Sequence, residues 1–472
     1  MSGSPEGVYE PGVVDPGLPV TNSTLPFWHS DLHPLAVHRS AWPHSIVDVV
    51  IIGSGISGAS IAHNLLSRRP DVDITLIDAR SLCSGATARN GGHIKTMTYA
   101  VWNHRKKRLG LEEAIKMTAF EQSHLEVMAH IIHTNSLECD LVPVQGVDAY
   151  YDEKVFAKAV SALKDMRLHA PKLADKYTVC TDTTVLQGAM KLSTRCIGAI
   201  TTPAASVWPY KMVTNLLETL ARSDKVNIQT GTSVLSIDDR PGSPFATVRT
   251  SRGDIRAKAV VHATNGWLGH LLPELRPFIS PVRGNVVHYG SVASEEDASG
   301  NAKSALGLDS KYSFWLRYAD KDYDYIIQRQ DGGIVVGRAN MGRRATGDDS
   351  QTDLLPMAHL RGFGHQVFSS AVDGSSAYIT GSWSGILGFT QDTLPFVGPL
   401  ATVFPSRHRQ WVCGGFHGVG MVKAWRAGEM VAQMLLDETL GDEYPESMMV
   451  TAARMKALRA SLGENSEIAP RL

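Results

Sequence analysis

A glycine-rich turn placed directly after an apolar run constrains this chain more than any other feature. Residues 46–58 read Ile-Val-Asp-Val-Val-Ile-Ile-Gly-Ser-Gly-Ile-Ser-Gly. The run 49–52 predicts a strand buried in a parallel sheet. Gly53, Gly55 and Gly58 match G-x-G-x-x-G, and 57–67 reads as a helix. A second strand, Ile74-Thr75-Leu76-Ile77, ends in Asp78, 20 residues after Gly58. Each part has a physical task. Gly53 makes the tight turn, Gly55 lets a pyrophosphate approach the backbone, and Gly58 lets helix and strand pack closely. Ile56 and Ser57 stand at the helix N-terminus, whose unpaired N–H groups favour phosphate. Asp78 can accept hydrogen bonds from ribose hydroxyls, with Ala79 and Arg80 beside it. Strand, glycines, helix, second strand and acidic end follow in the order a dinucleotide fingerprint requires. The fingerprint does not separate NAD from FAD.

The chain has 472 residues, which suggests two or three domains. With 43% hydrophobic and 20% charged residues it has a globular composition. The net charge of −1 gives no long-range field for nucleic acid or an anionic membrane. The basic run Arg105-Lys106-Lys107-Arg108 reads as the solvated face of a helix. Five cysteines are scattered, with no C-x-x-C pair, so neither zinc nor a disulfide framework is supported. No metal site is expected. Reduced thiols, no signal-peptide pattern and no apolar stretch of membrane-spanning length point to the cytoplasm. The C-terminal Ala-Pro-Arg-Leu is a distant relative of a peroxisomal signal.

Residues 1–44 are rich in Pro, Gly and His and read as an extended arm anchored by Phe27 and Trp28. Helices are expected over 111–133, 153–169 and the end of 205–222, and strands over 226–230, 233–238, 246–250 and 255–262. Residues 282–290, 312–318, 323–328 and 333–337 suggest a second, more antiparallel sheet, with 291–304 as a polar loop. A last strand at 410–414 leads through a glycine-rich turn into a helix over about 421–437. The order implies an α/β fold: a Rossmann-like dinucleotide-binding domain with a discontinuous second domain containing a mostly antiparallel sheet. The first domain is assigned 45–105, 203–275 and 381–440. The second takes 106–202 and 276–380, and 441–472 is a C-terminal helix or tail. A ligand would sit between the two domains.

At Ser84-Gly85-Ala86-Thr87-Ala88-Arg89-Asn90-Gly91-Gly92-His93 the chain resembles the amino-acid and amine oxidase family of flavoproteins, which includes D-amino acid oxidase, glycine oxidase and sarcosine oxidase. Four further segments share the resemblance: Pro203 to Lys211, Ala263-Thr264-Asn265-Gly266-Trp267, Pro281-Val282-Arg283-Gly284, and Trp383-Ser384-Gly385 through Gly398. With Gly415-Phe416 and Gly418-Val419-Gly420-Met421 it spans about 46–437 and is nearest in flavour to the gamma-glutamylputrescine-oxidase-like branch. The resemblance implies FAD as cofactor. Arg89 would pair with its pyrophosphate. Gly91 and Gly92 would let backbone approach the flavin, and Val234 would contact adenine. The 418–421 turn would face the flavin's pyrimidine oxygen.

Departures from the family bear on substrate. The carboxylate-gripping arginine of glycine oxidase falls on Leu387, and the corresponding lysine of sarcosine oxidase falls on Val422, with Lys423 next to it. A buried carboxylate without a cation is costly. The substrate implied is an amine without an α-carboxylate at that point, unless Arg283, Arg317 or Lys423 supplies the charge. The cysteine that attaches flavin in sarcosine oxidase falls on Gly385, implying noncovalent FAD, and its oxygen-activating lysine falls near Val335. His93 and His417 are the candidates for tuning the amine's protonation. Trp383 and Phe416 are candidate aromatic walls, with Trp208 a further candidate for the pocket. The function expected is oxidation of an amine C–N bond, with oxygen as acceptor. The alternatives are a dehydrogenase that passes electrons to a protein or quinone, and a flavoprotein that uses FAD structurally.

Overall fold

The computed structural model describes residues 15–290, 307–339, 345–362, 364–369 and 378–463. The polar loop expected at 291–304, the first 14 residues of the arm and the C-terminal Ala-Pro-Arg-Leu lie almost wholly or wholly outside them.

Strand Val47–Ile52 lies inside a sheet whose main path runs Phe396–Pro399, Gln410–Gly414, Gly253–His262, Val47–Ile52, Ile74–Ile77 and Val226–Gln229. Every pairing from Gln410–Gly414 to Val226–Gln229 is parallel. Ile51 is fully buried under helices on one face, and Val50 under strands Val234–Asp238 and Ala246–Thr250 on the other. Helix Ile56–Arg68 packs on one face against helix Ala424–Leu435, where the Ser60 hydroxyl donates to the Trp425 carbonyl at 2.5 Å.

The second sheet runs Ile379–Thr390, Ile279–Tyr289, Ile334–Ala339, Asp322–Gln328, Tyr312–Ala319, Val142–Tyr150, Gly198–Ser206 and His93–Ile94. It is antiparallel apart from the pairing of Tyr312–Ala319 with Val142–Tyr150. Helices Thr98–Leu109, Leu111–Thr134 and Glu153–His169 pack outside it.

Sequence periodicity misses several of these strands. Val142–Tyr150 carries Pro143, Gly146 and Asp148, Gly198–Ser206 carries mostly small residues, and Ile379–Thr390 contains Gly381, Gly385 and Gly388. Small and polar residues blur the period-two signal that marks a half-buried strand. Sheet membership also moves the domain boundaries. His93–Ile94 belongs to the second sheet before residue 106, Pro203–Ser206 stays in it after 203, and Ile379–Thr390 crosses 381. The helix expected at 421–437 is interrupted, with a short 3-10 turn Gly420–Val422 preceding Ala424–Leu435.

The basic run is not a purely solvated face. Arg105 is buried and its Nη1 donates to Glu121 at 3.0 Å, Lys106 pairs with Asp165 at 2.5 Å, and Arg108 donates to the Asp392 carbonyl. Among the described residues no helix is long and apolar enough to cross a membrane.

Four histidines are held neutral in the interior. Burial lowers His29, His124, His262 and His288 to about 4 from an ordinary 6.5. Unfolding restores their ordinary basicity, so the unfolded chain binds more protons between these values and stability rises with pH there. We expect the melting temperature to be level above pH 6.5 and to fall as the pH is lowered toward 4. Each histidine contributes up to about 1.4 kcal/mol per pH unit. Calorimetry across this range checks it, and an unchanged melting temperature would refute the buried-neutral assignment.

Candidate active site

The C-terminal ends of the parallel strands face the inner surface of the second sheet across a cavity of about 250 Å³. The geometry of its first end follows from the glycine turn. Gly53 has φ of +109°, and a Cβ there would lie 2.6 Å from the Ala263 carbonyl oxygen. A Cβ on Gly58 would lie 2.0 Å from the Gly53 oxygen, so only glycine allows helix Ile56–Arg68 to start this close to the strand. Gly55, Ile56 and Ser57 therefore present the helix N-terminus to the cavity, with the Ile56 N–H donating to Thr87 Oγ1 at 3.0 Å. Asp78 lines the same end. Its Oδ2 accepts from the Ser54 hydroxyl at 2.5 Å, and its Oδ1 accepts from the Arg80 N–H at 3.0 Å. Ala79, Arg80, Thr232, Val234, Ala263, Thr264 and Asn265 complete this part of the wall.

The second end is aromatic. Trp315 lies opposite Tyr325, and Arg317 opposite Tyr323, on neighbouring antiparallel strands. In the parallel pairing on the other side, Trp315 lies opposite Asp148. Residues paired in this way share a sheet face. Trp315, Tyr323 and Tyr325 all line the cavity, with Phe416 approaching from the other domain. Gly91 permits this arrangement, since a Cβ there would lie 2.6 Å from the Tyr325 ring.

His93 and Lys95 stand beside the aromatic wall. His93 Nδ1 shares a 2.7 Å hydrogen bond with the Ser313 hydroxyl, and its Nε2 is buried without a protein partner. Burial, and secondarily the Lys95 charge, hold the imidazole well below its ordinary pKa, so it is neutral at pH 7. The Lys95 ammonium lies 2.7 Å from Asp148 Oδ1 and donates to the Val147 carbonyl at 3.0 Å and the Ser313 carbonyl at 3.4 Å. It also lies 4.4 Å from the centre of the Trp315 ring. Burial lowers Lys95 to about 8, against the opposing pull of Asp148.

Most of the sequence-expected residues meet in this cavity. Ser84, Gly85, Ala86, Arg89, Asn90, Gly91 and His93 line it, as do Gly385, Gly418, Val419, Gly420 and Met421. Others lie elsewhere. Trp383 is fully buried and donates its indole N–H to the Arg89 carbonyl at 3.0 Å, which makes it a packing residue. His417 is fully buried too, and its Nδ1 accepts from the Thr390 N–H at 3.1 Å. Trp208 donates to the Trp28 carbonyl and packs with Phe27 and Trp28, away from the cavity. Gly92 sits beneath the Trp28 ring, and Gly266 lies against Ile386 and Leu387.

Arg89 is held by protein partners. Its guanidinium donates to the Ser84 and Ser384 carbonyls, both at 2.8 Å, and to the hydroxyls of Ser23 and Thr24. Asp349 lies 3.5 Å away. These bonds tie the guanidinium to the arm and to the second sheet, and Arg89 lines the cavity with them in place. Burial lowers its pKa to about 10.

The alternative cations are likewise engaged. Arg283 pairs with Asp353 at 2.7 Å, and the Lys423 ammonium faces Glu121 at 3.4 Å. Arg317 lies 3.8 Å from Asp148, its guanidinium 4.2 Å from the Tyr323 ring centre. None of the three lines the cavity, whereas the apolar Leu387 and Val422 do. Sequence reasoning missed Ser54, Thr87, Lys95, Trp315, Tyr323 and Tyr325. Only the register of the second sheet brings the three aromatic residues to the site.

One end of the cavity thus offers a helix N-terminus and a carboxylate, and the other flat aromatic surfaces. That polarity fits a dinucleotide carrying a planar ring. The family model described as FAD dependent oxidoreductase matches residues 48–434. This chain belongs to the DAO family of FAD-dependent oxidoreductases.

The probable oxidoreductase OrdL of Rhizobium meliloti is 26% identical over 401 residues, covering 83% of each chain. The gamma-glutamylputrescine oxidoreductase of Escherichia coli is 21% identical over 394 residues, covering 82% of this chain and 83% of the relative. The crystal structure of glycine oxidase from Geobacillus kaustophilus superposes with a TM-score of 0.67 at 18% identity, covering 86% of this chain and 98% of that one. That likeness confirms the two-sheet α/β fold. FAD is the cofactor of the family, and in this DAO-family enzyme the residues available to hold it are those of the glycine turn, Asp78, the 84–91 loop and the 418–421 turn.

We expect Gly53→Ala to lose most of its FAD. A non-glycine residue in this conformation costs roughly 1–3 kcal/mol, and the Cβ overlaps the Ala263 carbonyl. Flavin absorbance per protein in the purified variant checks this, and wild-type flavin content would contradict it.

Proposed function

We propose that this protein oxidises the C–N bond of an amine that lacks an α-carboxylate at the Leu387–Val422 position. The observation that carries the reading is the cavity wall itself. Trp315, Tyr323, Tyr325 and Phe416 offer ring faces and apolar surface, and the same cavity is lined by the apolar Leu387 and Val422, the positions to which the family resemblance assigns a cation. Lys95, the lysine of that wall, has its ammonium donors directed at Asp148, Val147 and Ser313. A substrate carboxylate would find no uncommitted cation beside Leu387 among the described residues.

FAD, held by the residues named above, would supply the oxidising power for loss of one hydride (two electrons and a proton) from the carbon that bears the nitrogen. The protein's own contributions are positional. The aromatic wall holds the amine and its substituents and excludes water. Neutral His93 can receive the substrate N–H at Nε2 when its Nδ1–H donates to Ser313. His93 of low basicity stays neutral and is a hydrogen-bond acceptor for the amine, while burial against the apolar wall disfavours the ammonium form of the substrate. The resulting imine is hydrolysed by water. None of the five cysteines lines the cavity, in keeping with noncovalent FAD. Oxygen is the proposed acceptor, and a reducing compartment such as the cytoplasm suits the five free thiols.

The test is the visible spectrum of the anaerobic protein during addition of primary, secondary and tertiary amines and of amino acids. Bleaching by an amine without an α-carboxylate is the expected result, with colour and hydrogen peroxide returning on admission of air. Bleaching by amino acids alone would overturn the substrate assignment, and a reduced flavin that air does not reoxidise would overturn the acceptor. Loss of an aromatic contact of about 1–2 kcal/mol lowers kcat/KM by roughly tenfold, which is the effect expected of Trp315→Ala on the best amine.

A further inference from the structure

We propose that residues 15–24 form a strap that closes the dinucleotide site and sets the rate at which FAD leaves it. The inference rests on the FAD assignment and concerns a segment that precedes the family match, which begins at residue 48. Gly17, Leu18 and Pro19 line the same cavity as Asp78, Val234 and the helix N-terminus at Gly55–Ser57. The arm is therefore a wall of the nucleotide end and not a surface decoration.

Its two ends are fastened differently. At the outer end Asp15 pairs with Arg276 at 2.6 Å and with His270 Nδ1 at 3.0 Å, and His270 itself lines the cavity. These partners are partly exposed, and pairs of that kind are weak and salt-sensitive. The inner end is fixed in the interior. Thr24 donates its N–H to the Asp349 carbonyl at 2.8 Å, and its hydroxyl accepts from the Ser384 N–H at 3.0 Å. Arg89 donates to Ser23 and Thr24, and Arg80 donates to the Val20 carbonyl at 3.3 Å. Pro16 lies against Gly347, where a Cβ would meet its carbonyl oxygen at 2.1 Å. A segment clamped at 20–24 and lightly tied at 15 opens from its outer end. Opening exposes the nucleotide end of the cavity while the aromatic end stays closed.

The test measures FAD release from the holoprotein, followed by the rise of free-flavin fluorescence after dilution. Asp15→Asn is expected to speed release about two- to fivefold, the worth of one exposed ion pair, and to weaken its acceleration by salt. Adding Leu18→Gly and Pro19→Gly removes the apolar part of the wall and brings the increase to about tenfold. Asp15 does not line the cavity, so turnover of FAD-saturated Asp15→Asn is expected to stay at the wild-type level. Release at the wild-type rate in both variants would overturn the strap. Hydrogen exchange gives a second readout that survives a folding failure of the triple variant. FAD should slow exchange at the amides of Gly17, Leu18 and Val20 in the wild-type protein, and equal exchange with and without FAD would overturn the proposal. A wild-type protein that neither contains nor takes up flavin would instead fail the FAD assignment.

Discussion

The carboxylate of Asp349 is the interaction on which the site depends. Its side chain is fully buried, lying 2.9 Å from Arg80 Nη1 and 3.5 Å from Arg89 Nε. Both arginines belong to the connection that follows strand Ile74–Ile77, Arg80 near its start and Arg89 just after the 3-10 turn Ala86–Ala88. The Asp349 backbone oxygen accepts from Thr24 of the arm, and the Ser384 hydroxyl of the second sheet lies 3.4 Å from it. Three segments that are distant in sequence, the arm, the 80–89 loop and strand Ile379–Thr390, thus converge on one residue. Removing one partner from such a buried ionic cluster costs about 3–5 kcal/mol, because the remaining charges cannot reach water. The arrangement also gives Arg89 a structural role. Its guanidinium holds the loop and the arm in place, and the backbone and side chains of the loop form the wall.

A second buried ionic group organises the opposite end. Asp148 neutralises Lys95 and stands 3.8 Å from Arg317, and the two cations lie against Trp315 and Tyr323. Lys95 lines the cavity beside the rings with its charge neutralised by Asp148, while Asp148 and Arg317 do not line it, so most of the wall is ring surface. Leu387 and Val422 extend that apolar character along the cavity. The chemistry proposed follows from this division: a polar end for phosphates and ribose, an apolar aromatic end for an amine, and a neutral His93 between charge and substrate.

The parallel half of the fold is legible in the sequence because local signals carry it. The apolar run before Gly53, the glycine spacing and Asp78 all lie within about thirty residues, the length of one strand–helix–strand unit. Glu153–His169 and Gln410–Gly414 are legible for the same reason, having regular periods and clear ends. The second sheet is less so. Val142–Tyr150 and Gly198–Ser206 bury small and charged residues that no hydrophobic pattern marks. Its aromatic face arises from register between strands, and register is not written locally. Motif proximity also misleads where a side chain turns inward. Trp383 and His417 sit in segments adjoining the cavity, yet both are buried in the core, whereas Gly385, Leu387, Phe416 and 418–422 reach it.

The central claim is that one buried carboxylate joins the nucleotide loops, the arm and the second sheet into a single FAD-holding unit. It is tested most directly by heating the FAD-loaded wild type and Asp349→Asn while flavin fluorescence and far-ultraviolet circular dichroism are recorded together. In the wild type, flavin release and loss of secondary structure should coincide. In the variant, flavin should leave several degrees before the secondary structure melts, because the cavity walls separate while each sheet persists. Coincident transitions in both proteins, at the same temperature, would contradict the account.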